Sequence, residues 1–101
     1  MTEQAYFGKS IIITGASSGI GRELAKQFAS QGAALTLAAR NVEKLEDLCS
    51  VYQSLGGKSI AVETDVSDPE QCKRLIERAI QAFGKIDMLI NNAGITMWAR
   101  L

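Results

Sequence analysis

The chain has 101 residues, with 11 Lys and Arg against 11 Asp and Glu, no His, and a hydrophobic share of 47%. That length allows one domain at most, and the apolar share is too high for a disordered segment. A formal charge of zero argues against nucleic acid or an anionic membrane as partner, because both need a basic surface. Without His, the usual zinc sites and Ser–His or Cys–His catalysis are excluded, and no metal is expected. No apolar run approaches the roughly 18 residues of a membrane span. The start, Met1-Thr2-Glu3-Gln4, lacks the layout of a signal peptide. Cys49 and Cys72 are too few for a disulfide framework and fit a reduced, cytoplasmic protein.

The first predicted element is a β-branched strand, Ser10 to Thr14, that stops at Gly15. A strand apolar on both faces belongs inside a parallel sheet. From Gly19 to Gln31, Ile20, Leu24, Ala25, Phe28 and Ala29 recur at helical spacing, and Gly32 ends the helix. Ala34 to Ala39 is a second strand. Asn41 caps a helix whose apolar face is Leu45, Leu48, Cys49, Tyr52 and Leu55, ended by Gly56-Gly57. Ser59 to Thr64 is a third strand. Asp68-Pro69-Glu70-Gln71 starts a third helix with Asp at the N-cap, Pro at N1 and Gln at N3 in a capping box. Cys72, Leu75, Ile76, Ala79, Ile80 and Phe83 mark its buried stripe, and Gly84 its end; Ile86 to Asn91 is a fourth strand. The order β-α-β-α-β-α-β implies an α/β fold with a parallel sheet and right-handed crossovers.

The central signal is Thr14-Gly15-Ala16-Ser17-Ser18-Gly19-Ile20-Gly21, lying between a strand and a helix. The unpaired N–H groups and positive end of a helix N-terminus suit a pyrophosphate. Gly15 permits the tight exit, Gly19 lets phosphate approach the backbone, and Gly21 allows close helix–sheet packing. Ser17 and Ser18 add hydroxyl donors. The alternative is a glycine-rich turn without a ligand, but the strand-to-helix context favours a dinucleotide site. A P-loop would need Gly-Lys-Ser/Thr where this chain has Gly21-Arg22-Glu23.

A dinucleotide binder usually carries an acid at the end of the second strand to read the ribose 2′-hydroxyl. Here the segment reads Ala38-Ala39-Arg40-Asn41. Arg40 suits a 2′-phosphate, so NADP(H) is expected over NAD(H). The competing reading is a solvated surface Arg.

The glycine turn, Asp65-Val66 after the third strand and Asn91-Asn92-Ala93-Gly94 after the fourth together resemble the short-chain dehydrogenase/reductase family. The three residues between Gly15 and Gly19 are similar to the family's common subgroup rather than its extended, epimerase-like one. The resemblance implies a Rossmann-like parallel sheet of strand order 3-2-1-4. It implies that Asp65 bonds the adenine amino group, and that the Val66 backbone contacts the ring. Asn92, Ala93 and Gly94 would line the adenosine ribose and the path to the nicotinamide, and Asn91 would brace the central strands. Read singly, Asp65 and the Asn-Asn-Ala-Gly run are equally turn residues.

The family's chemistry uses a Ser, a Tyr-x-x-x-Lys pair and a further Asn, all downstream of that run. The only tyrosines here are Tyr6 and Tyr52, followed four residues on by Ser10 and Gly56, and the chain ends at Leu101. Residues 1–101 are therefore expected to be the truncated, N-terminal part of a dinucleotide-binding Rossmann domain, with no catalytic residue of its own. The intact protein would be an NADP-dependent oxidoreductase moving hydride between the nicotinamide and a small carbonyl or alcohol substrate. The alternatives are a non-catalytic dinucleotide-binding module and an inert fragment. An exposed fourth strand, with Ile86, Met88, Leu89, Ile90, Met97, Trp98 and Leu101 uncovered, would leave the chain marginally stable or self-associating, for instance as a homo-oligomer.

Overall fold

A computed structural model describes residues 6–17 and 19–92. Its elements run β1 (Ser10–Thr14), α1 (Gly19–Ser30), β2 (Ala34–Ala39), α2 (Val42–Ser54), β3 (Lys58–Glu63), α3 (Pro69–Phe83) and β4 (Met88–Asn91). All strand pairs are parallel and the sheet order is β3-β2-β1-β4. This is the Rossmann-like α/β arrangement expected.

The side chains of β1 alternate between two cores. Ile11 and Ile13 join Leu35, Leu37, Ala25, Ala29, Leu45, Leu48 and Tyr52 beneath α1 and α2. Ile12 faces the other way, with Ala38, Val62, Leu75 and Ala79 beneath α3. All five β1 residues are buried, which accounts for the unbroken apolar, β-branched run Ile11 to Ile13 at its centre.

Local signals end the elements as their chemistry dictates. Asn41 Oδ1 accepts from the Lys44 N–H at 3.2 Å to cap α2, and Gly84 closes α3 in the left-handed region at φ 78°. The capping box at α3 is only half made. Asp68 accepts from the Glu70 N–H at 3.0 Å, but Gln71 does not return to the Asp68 backbone: its Nε2 donates to the Asp68 carboxylate at 3.1 Å.

Strand limits shift by a residue or two. β3 starts at Lys58 rather than Ser59, because Lys58 is in register with Ala34. β4 starts at Met88 rather than Ile86, and Ile86 packs on the α3-side core from the preceding loop. Three members of the expected buried stripes stand out in solvent: Ile20 is 70% exposed, Ile80 49% and Leu55 44%. Met97, Trp98 and Leu101 lie outside the described residues.

Candidate cofactor-binding site

The carboxyl ends of the four strands and the start of α1 enclose a crevice of about 710 Å³. In an open α/β sheet this is where ligands bind. Gly15, Ser17, Gly19 and Ile20 line one side, Ala38, Ala39, Arg40 and Asn41 the second, and Thr64, Val66 and Asn92 the third.

The glycine turn is built for close approach. Gly15 and Gly19 hold φ of 61° and 60°, a backbone region that disfavours any side chain. A Cβ on Gly19 would meet nothing within 4 Å, so that face of the turn is open. Gly21 is the opposite case: a Cβ there would run into the Gly15 carbonyl and lie 2.6 Å from Asn92 Nδ2. Its hydrogen atom lets α1 sit directly against the turn. The turn is pinned to the sheet by the Ala16 N–H donating to the Ala38 carbonyl at 3.2 Å.

Thr14 ties β1 to β4 at the crevice floor. Its hydroxyl donates to Asn91 Oδ1 at 2.8 Å and accepts the Asn92 N–H at 2.9 Å. Asn92 Nδ2 donates to the Gly15 carbonyl at 3.3 Å. Asn91 thus braces β1 against β4, and Asn92 joins the glycine turn to the end of β4.

The turn after β3 is equally well fastened. The Asp65 N–H donates to Gln71 Oε1 at 2.8 Å, so the first turn of α3 sets its position. Asp65 Oδ1 accepts from the Ser67 N–H at 3.0 Å and the Ser67 hydroxyl at 2.6 Å. Arg40 Nη2 also reaches that oxygen, at 3.3 Å. The Ser67 donors first, and the Arg40 charge after them, hold the Asp65 carboxyl below the usual carboxylate range.

Of the residues singled out in the sequence, Gly15, Ser17, Gly19, Ile20, Arg40, Val66 and Asn92 line one crevice. Gly21 packs against the Gly15 carbonyl and Asn92 of that lining, and Asp65 is bonded to Arg40. Ser18, Ala93 and Gly94 lie outside the described residues. Sequence reasoning passed over Thr14 as a brace and Thr64, Ala38, Ala39 and Asn41 as lining. Their signal was position alone, at the carboxyl ends of strands. Tyr52 stands apart from the crevice: it is 2% exposed, and its hydroxyl donates to the Arg22 carbonyl at 3.1 Å. No helix among the described residues is long and apolar enough to cross a membrane.

Comparison with known proteins agrees with this geometry. A family profile described as short chain dehydrogenase matches residues 9–100. The chain is 45% identical over 91 residues to 11-beta-hydroxysteroid dehydrogenase 1A of Arabidopsis thaliana, covering 89% of this chain and 26% of that protein. It is 51% identical over 87 residues to the uncharacterized oxidoreductase Lmo0432 of Listeria monocytogenes, covering 86% of this chain and 35% of the relative. The chain therefore spans about a quarter to a third of the length of these relatives. A crystal structure of hydroxysteroid dehydrogenase from Escherichia coli superposes with a TM-score of 0.83 at 35% identity, over 87% of this chain and 37% of that one. A metagenomic short-chain oxidoreductase in complex with NADP gives 0.83 at 34% identity, over 89% of this chain and 41% of that one. With sheet order, glycine turn and profile in agreement, the chain belongs to the short-chain dehydrogenase family.

Proposed function

We propose that residues 1–101 form the NADP(H)-binding part of an oxidoreductase that interconverts a small carbonyl compound and its alcohol. The observation that carries this reading is the convergence of the glycine turn, Arg40 and Asn92 on one crevice of about 710 Å³. The fit is favourable on two counts. The open face at Gly19 leaves room for a phosphate against the backbone, and the side chain of Arg40 is 73% exposed at the rim.

Each residue has work to do in binding. The N–H groups at the start of α1 lack intrahelical partners and suit the pyrophosphate. Ser17 lines the crevice and adds a hydroxyl donor, and Ser18 is assigned the same chemistry in the proposal. Arg40 takes the 2′-phosphate, while Asp65 and Val66 flank the adenine. Asn92 lines the crevice, and in the proposal it is assigned, together with Ala93 and Gly94, to the adenosine ribose and the nicotinamide, which supplies or accepts the hydride when bound.

No Tyr-x-x-x-Lys pair occurs in these 101 residues, and Tyr52 is committed to joining α1 and α2. The reading therefore assigns coenzyme binding to this chain and proton handling to the intact protein. A cytoplasmic setting belongs to the same proposal, supported by two buried cysteines that remain free thiols.

Calorimetric titration with NADP+ and NAD+ tests the reading. NADP+ is expected to bind more tightly. Arg40→Ala should weaken NADP+ by about ten-fold, the lower end for a hydrogen bond to a charged group, and leave NAD+ nearly unchanged. Equal affinities, insensitive to Arg40→Ala, would remove the NADP(H) assignment.

A further inference from the structure

The functional reading gives Arg40 to a phosphate and Asp65 to the adenine, yet the structure joins the two side chains to each other. Arg40 Nη2 donates to Asp65 Oδ1 at 3.3 Å across the ends of β2 and β3. The partners are not equally free. The Arg40 side chain is 73% exposed and that of Asp65 36%. Ser67 grips the same carboxylate oxygen through its N–H at 3.0 Å and its hydroxyl at 2.6 Å. Gln71 fixes the Asp65 backbone at 2.8 Å. Asp65 is thus a stationary anion and Arg40 a movable cation.

A 2′-phosphate arriving at Arg40 meets a guanidinium already engaged with a negative group. Arg40 has to give up Asp65 wholly or in part, and Asp65, held by Ser67, cannot follow it. The bared carboxylate then faces a like charge. Both effects act against the phosphorylated coenzyme and leave the unphosphorylated one untouched.

We propose that Asp65 tunes the coenzyme preference of this crevice by competing with the 2′-phosphate for Arg40. The inference rests on the NADP(H) reading above and adds a second determinant to it. Arg40 favours the phosphate, and Asp65 limits how far. The carboxylate stays ionised through the neutral range, since its donors hold it below the ordinary value.

The test is a thermodynamic cycle on the full 101-residue chain, titrating NADP+ and NAD+ into the wild type, Asp65→Asn, Arg40→Ala and the double variant. Asn keeps an oxygen for the Ser67 donors and removes only the charge. Asp65→Asn is expected to move the affinity ratio toward NADP+ by about two- to five-fold, the span of an exposed ion pair. With Arg40→Ala already present, the same substitution should move the ratio by less than about two-fold. A lost adenine contact would weaken both coenzymes alike and leave the ratio standing. An unchanged ratio in Asp65→Asn, a ratio shifted toward NAD+, or an equal shift in the Arg40→Ala background overturns the proposal. A wild-type chain that binds neither coenzyme overturns the underlying NADP(H) reading as well, which separates the two failures.

Discussion

The hydroxyl of Thr36 is buried in β2, between Ile12 and Ile60 on the neighbouring strands, and has no hydrogen-bond partner among the described residues. A buried unpaired hydroxyl costs about 1–3 kcal/mol. Thr36→Val keeps the shape and β-branching and should stabilise the fold by about 1 kcal/mol, read as a higher urea midpoint with an unchanged slope. Gly21 presents the reverse situation. Gly21→Ala drives a Cβ into the Gly15 carbonyl and the Asn92 amide. It should destabilise by about 1–3 kcal/mol and weaken coenzyme binding, because the turn and the α1 start move apart. The role of Gly21 was readable from its place in the motif. The exposure of Ile20 was not: helical spacing put it in the apolar stripe, but the first turn of α1 overhangs the crevice and faces away from the core. Nor did sequence reveal the Arg40–Asp65 pair, whose members lie 25 residues apart and meet only because β2 and β3 are adjacent.

Between elements, the joint of β1 with the approach to β4 depends on one carboxylate. Asp87 Oδ2 accepts the Ser10 N–H at 2.8 Å, and the Asp87 N–H returns to the Ser10 carbonyl at 2.8 Å. Lys85 Nζ lies 3.2 Å from the same carboxylate. The Ser10 N–H chiefly, then Lys85, hold the Asp87 carboxyl below its ordinary value. A carboxyl whose pKa is lower folded than unfolded adds stability above the unfolded value of about 3.9 and loses it as pH falls through the folded one. Asp87→Asn should therefore lower the urea midpoint at pH 7, with the gap to wild type closing as the solution is acidified below about pH 4. Elements were the most legible level of the chain. Asn41, Asp68-Pro69 and Gly84 mark their helix ends by side-chain and backbone chemistry that needs no tertiary knowledge. The start of β4 was less so, because Ile86 extends the apolar run while serving the α3-side core rather than the ladder.

At the level of the whole chain, the sheet formed by the described residues has β3 at one edge and β4 at the other. Met88, Leu89 and Ile90 in β4 are only half-buried. Among the described residues β4 pairs with β1 alone. An apolar edge with unpaired backbone groups invites association. Sedimentation should find the isolated chain self-associating at micromolar concentration, or binding an apolar dye; a monomer that melts sharply and reversibly without dye binding would count against this. The strand order was legible because parallel βα units have few right-handed arrangements. Arg40 stood out in the sequence at the end of β2, but its contact with Asp65 did not, because it arises only from the adjacency of β2 and β3.

Thr14 and Asn91 are hydrogen-bonded across 77 residues, which sets a timetable for making the protein. On a ribosome adding about 5–20 residues per second, β1 emerges roughly 4–15 s before the partner that closes its far side. Through that interval one flank of β1 is bare, and the glycine turn lacks its tie to Asn92. The nascent chain therefore has a window in which a chaperone, or a stray strand from a neighbour, competes for the place reserved for β4.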